Sequence, residues 1–163
     1  ELKDGARLSE VLQRGERCLS LMSCFCEQAL WIGELEAGLK ELCQLPEEAR
    51  SDADVVGAAI ERNGGDELEH AAESLRGQRD LVLRAVAGSG FALQWASPDL
   101  RGDQEVVLQA VSQCGLALLS ASPDLRANRE VVLGAVAQHG LALQYASADL
   151  RADRQVVLEA VAQ

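Results

Sequence analysis

From residue 90 onward the chain writes nearly one phrase three times at a fixed step of 25 residues: "GFALQWASPDLRGDQEVVLQAVSQC", "GLALLSASPDLRANREVVLGAVAQH" and "GLALQYASADLRADRQVVLEAVAQ". Few folds admit so short a period. Each copy is one small unit that cannot bury its own apolar face, so it must lie against the next copy. Numbering a copy from its glycine puts Gly65, Gly90, Gly115 and Gly140 at position 1. Leu75, Leu100, Leu125 and Leu150 then hold position 11, and Arg76, Arg101, Arg126 and Arg151 hold position 12. Positions 18 to 22 read Val-Leu-x-Ala-Val in all four copies. A degenerate copy, "LKELCQLPEEARSDADVVGAAIERNG", precedes them and carries one extra glycine, Gly64. The expected units are 39–64, 65–89, 90–114, 115–139 and 140–163.

Each unit carries two helical signals. The first is short, as in "GLALQYAS", and the second is longer, as in "ADRQVVLEAVAQ". In the second, Val156, Val157, Ala160 and Val161 fall on one helical face, which Leu158 widens. Asp103, Asn128 and Asp153 at position 14 are suited to cap its free N–H groups. Glu105 and Glu130 follow in the first turn, where negative charge suits the helix dipole. Glycine at position 1 is expected to end the preceding helix in a left-handed conformation. The "SPDL" between the two signals reads as one capped turn with Pro98 or Pro123 at its start. Aromatic residues make up only 3% of the chain, so Leu, Val and Ala form the core, a palette that suits helices. The fold expected is therefore all-α: an α-solenoid of about five 25-residue two-helix repeats behind an N-terminal non-repeat helical segment.

The phrases "DQEVVLQAVSQCGLALLSAS" (103–122) and "NREVVLGAVAQHGLALQYAS" (128–147) resemble the tandem helical repeats known as domain of unknown function 4116. The resemblance covers 65–163 clearly and 39–64 weakly. It implies a helical array of a kind common in unicellular algae and protists. It implies no established activity and assigns no functional residue.

Residues 1–38 do not repeat. Leu8, Leu12, Leu19, Met22, Cys26 and Ala29 follow a spacing of three to four, which predicts an amphipathic helix or a pair broken at Gly15. This segment is expected to cap the first repeat or to dock on another subunit. "CLSLMSCFC" is too short for a membrane-spanning helix, and basic residues around it are too few for a surface anchor. The chain opens on Glu1 rather than Met and stops one residue short of a complete fifth copy, which suggests a processed or partial chain.

A formal net charge of −11 disfavours nucleic acid as a partner and keeps an array soluble. Five cysteines in no framework spacing point to reduced thiols in an intracellular or organellar compartment, the chloroplast among the options. Cys18, Cys24, Cys26, Cys43 and Cys114 read as small core residues. Residues two apart on a helix diverge, so Cys24 and Cys26 do not form a metal grip, and neither metal nor cofactor is expected. His70 and His139 lack an evident partner for acid–base work, and no nucleophile or phosphate-loop motif is present, so an enzyme is not expected.

Two recurring features remain. The Arg76, Arg101, Arg126 and Arg151 ladder is expected to be structural, through local ion pairs with the acids at positions 10 and 16 or bonds to helix-end carbonyls. Position 6 changes from copy to copy, as His70, Trp95, Ser120 and Tyr145, and variation on a fixed frame suits recognition. Trp95 and Tyr145, with Met22, Phe25 and Trp31 of the N-terminal segment, are the candidate partner-binding residues. The function expected is a non-enzymatic helical-repeat scaffold that binds other protein subunits. The alternative is a peripheral, non-spanning subunit of a large organellar membrane complex, photosynthetic in kind, which the family resemblance and the apolar segment 18–32 suggest.

Overall fold

The computed structural model describes residues 26–163. All regular structure among them is helical, with no strand. Six longer helices carry the fold. They are α1 (26–36), α2 (Ala53–Asn63), α3 (Arg79–Gly88), α4 (Gln104–Gln113), α5 (Arg129–Gln138) and α6 (Arg154–Val161).

The first helical signal of each copy is a 3₁₀ helix rather than an α-helix. These run Gly65–His70, Gly90–Trp95, Gly115–Ser120 and Gly140–Tyr145. In the second of them Gly90, Ala92 and Leu93 are buried, as is Ala96 just beyond its end; Gly90, Leu93 and Ala96 fall three apart, as three residues per turn require, with Ala92 buried between them. A single α-turn follows in Glu73–Arg76, Pro123–Arg126 and Ala148–Ala152, where Leu100–Gly102 instead forms a 3₁₀ turn. The expected two helices per copy are thus three short pieces. Ser122 and Ser147 cap their turns by accepting from the N–H of Leu125 and Leu150. Pro123 stands at the first position of its turn, whereas Pro98 lies before the 3₁₀ turn of its copy.

The long helices start as the sequence indicates. The Asp103 carboxylate accepts from the N–H groups of Glu105 and Val106 at 3.0 and 3.1 Å. Asn128 and Asp153 do the same for their helices, and Asp52 does so for α2. Val106, Val107, Ala110 and Val111 are all buried in α4, as are Val131, Val132, Ala135 and Val136 in α5. Leu108 and Leu133 are half-buried at the edge of that face.

The position-1 glycines serve a different purpose from the one expected. Among the described residues only Gly38 and Gly64 have positive φ. At Gly90 an added Cβ would sit 2.5 Å from the Ala110 carbonyl oxygen, and Gly65, Gly115 and Gly140 meet the carbonyls of Ala85, Ala135 and Ala160 in the same way. Position 1 is glycine because the 3₁₀ helix runs against the backbone of the long helix at position 21. That position is itself Ala in every copy.

Each long helix contacts the next from α2 to α6, and each 3₁₀ helix contacts the next, so the two kinds form adjoining rows. A backbone bond recurs between copies. Ser97 N–H donates to the Arg76 carbonyl at 2.9 Å, and Ala72, Ser122 and Ser147 donate to Arg50, Arg101 and Arg126. A side-chain ladder recurs as well. Arg79 pairs with Asp103 at 3.3 Å and with Glu105, Gln104 donates to Glu130, and Arg129 donates to Gln155. Gln28 of α1 reaches Asp52 and Asp54 at the same sequence offsets. Leu35 of α1 is buried as Val86 and Val111 are, so α1 covers the face of α2 much as each long helix covers the next.

Candidate functional site

Positions 5 to 9 and 12 of adjacent copies enclose a trough. One stretch, of about 570 Å³, is lined by Glu73, Arg76, Gln94, Trp95, Ser97, Pro98 and Arg101. The next, of about 270 Å³, is lined by Pro98, Arg101, Leu119, Ser120, Ser122, Pro123 and Arg126. Pro98 and Arg101 line both stretches, which adjoin one another along three copies.

The two recurring features of the sequence meet here. Trp95 lies between Arg76 and Arg101, and Ser120 between Arg101 and Arg126. Nothing in the sequence alone shows this, because each position-6 side chain is shared between its own arginine and that of the previous copy. The backbone bond from position 8 to the preceding position 12 sets that juxtaposition.

The arginines do not form the local ion pairs expected of them. Among the described residues Arg76, Arg101, Arg126 and Arg151 make no salt bridge. The carboxylates at positions 14 and 16 open the long helix, and that turn is stacked against position 15 of the preceding copy, which takes them up instead. Arg76 follows the other expected route. It donates from Nε to the Ala71 carbonyl at 3.0 Å and from Nη2 to the Glu69 carbonyl at 2.7 Å, across the end of its 3₁₀ helix. The Nε atoms of Arg101 and Arg126 are buried without an acceptor. A buried donor left unbonded costs about 1–3 kcal/mol. The Ser122 hydroxyl already accepts from a backbone N–H and has its own hydrogen to give. The enclosed Nε atoms are not open to an occupant, but the stretch from Pro98 to Arg126 is lined by two arginines together with Ser120 and Ser122.

The remaining candidates lie apart. Tyr145 is half-buried against the core beyond the trough. Trp31 is half-buried in α1, at the opposite end of the chain. Met22 and Phe25 lie outside the described residues, as do Cys18 and Cys24. Cys26 and Cys43 are exposed and Cys114 is half-buried, so these three are not the buried core residues expected. Cys43 falls on the solvent side of the short turn Leu42–Gln44, whose buried anchor is Leu42. Local desolvation and the Glu41 carboxylate beside it push its thiol above the ordinary range. It stays protonated at neutral pH and is a weak nucleophile. No group of three potential metal ligands occurs among the described residues.

No curated protein and no solved structure matches the chain. The model of a domain of unknown function, DUF4116, matches residues 78–126 and 128–163, together more than half of the sequence. The break at Ala127 falls inside a unit, between its one-turn helix and the cap of α5, so each matched segment draws on more than one structural copy. The chain belongs to the DUF4116 family.

Proposed function

We propose that residues 39–163 form an α-solenoid of five units and that the chain acts as a non-enzymatic helical-repeat scaffold for other proteins. The observation that carries this reading is the recurrence of one set of contacts between adjacent copies. The backbone bond, the polar ladder and the apolar face all repeat, while the side chain at position 6, beside the trough, changes. Such a chain invests its sequence in a long regular surface rather than in a single catalytic centre. In this reading α1 is the cap of the first unit.

The reading is tested by affinity capture with the intact tagged chain and with a Trp95→Ala/Tyr145→Ala variant. The intact chain should retain a protein that the variant loses, with the helical circular dichroism spectrum preserved. Retention of the same proteins by both, or capture of none, contradicts it. The membrane-complex alternative gains nothing from the described residues. No helix among them is long and apolar enough to cross a membrane, which is compatible with either reading.

A further inference from the structure

We infer that the trough is a receptor for an extended acidic peptide whose carboxylates recur at every third residue, one carboxylate to each unit. This rests on the scaffold reading and specifies the chemistry of its partner.

The donors define the charge of the occupant. Arg101 and Arg126 face the same stretch, make no ion pair among the described residues, and are joined there by Ser120 and Ser122. Guanidinium groups hold carboxylates in a planar, forked geometry, and such charge-assisted bonds are stronger than neutral ones. The nearby acids do not neutralise them. Asp99 and Asp124 are exposed and unpaired with either arginine, and Glu73, which lines the other stretch with Arg76 and Arg101, makes no salt bridge to them. Carboxylates therefore seat between Arg101 and Arg126.

The repeat defines the register. Helices in contact lie about 8–10 Å apart. An extended chain advances about 3.3 Å per residue, so three residues span roughly one unit. The net charge of −11 opposes any polyanion, and less so a peptide with one carboxylate in three residues than a nucleic acid with a phosphate on every nucleotide.

The test uses the full chain and fluorescence anisotropy. One labelled peptide has four Glu-Gly-Ser repeats, and a second has the same composition with its glutamates contiguous. The spaced peptide should bind several-fold more tightly. Arg101→Gln/Arg126→Gln should weaken it by about tenfold with an unchanged thermal melt, and the Lys/Lys variant should recover part of the loss. Equal binding of the two peptides overturns the inference, as does undiminished binding by the Gln variant or tighter binding of a labelled oligothymidine. Should the Gln variant unfold, the comparison of peptides on the unaltered chain decides. Persistent capture of a protein partner without binding of the spaced peptide sinks this inference and leaves the scaffold reading standing.

Discussion

Gly90 and Gly134 are the same residue under opposite constraints. Gly90 faces the Ala110 carbonyl, a backbone atom that cannot turn away, so Gly90→Ala should destabilise the chain by about 1–3 kcal/mol. Gly134 lies inside α5, where an added methyl meets only the Val111 side chain at 4.0 Å. Gly134→Ala should raise stability by about 0.5–1 kcal/mol through helix propensity. Chemical denaturation of the two variants checks both signs. The fixed glycine was legible in the repeat, but its cause was not. Sequence favours the local explanation, a left-handed turn, whereas the actual constraint is a contact between positions 1 and 21. The arginines at position 12 divide the same way. The expected bond to helix-end carbonyls forms at Arg76, whereas the expected ion pairs do not, because the acids that open the long helix turn toward the preceding copy.

The elements divide along the same line between local and distant causes. Caps are local and were readable, because a short acceptor ahead of an apolar period has one use. Asn128→Ala should cost about 1 kcal/mol, read from the denaturation midpoint. Asp103 makes the same cap with a charge. The Val106 N–H and the Arg79 guanidinium hold its carboxyl below the ordinary range. A carboxyl depressed in the folded state stabilises above its unfolded value near pH 4 and loses that contribution as pH falls further. Asp103→Asn keeps the acceptor, as Asn128 does naturally. Its midpoint should therefore fall less than that of the parent between about pH 5 and 3. The 3₁₀ character of the first piece is less legible. Positions 1, 4 and 7 are fixed at a step of three, but Ala92 between them is buried as well, so the pattern alone does not choose the helix type.

At the scale of the whole molecule, the value of a residue depends on whether another unit lies beyond it. Val136 is fully buried, whereas Val161, its equivalent in the last unit, is 78% exposed. Val136→Ala should cost about 2 kcal/mol, and Val161→Ala should stay within about 0.5 kcal/mol. Thermal melts of the two variants separate them, although the two positions read identically in the sequence. The stacking of neighbours was legible from the period alone. The trough was not, since it arises from position 6 of one copy and position 12 of two. Both the proposed scaffold and the proposed receptor trough require units that stack in sequence order. Dipolar spectroscopy tests that directly, with spin labels at the exposed, equivalent positions Ala87, Ser112, Ala137 and Ala162 in a chain whose native cysteines are replaced. The 87–137 and 112–162 distances should agree at roughly 20 Å, with 87–162 near 30 Å. An 87–162 distance no longer than 87–137, or two-unit distances that disagree widely, would mean that the units pack out of order.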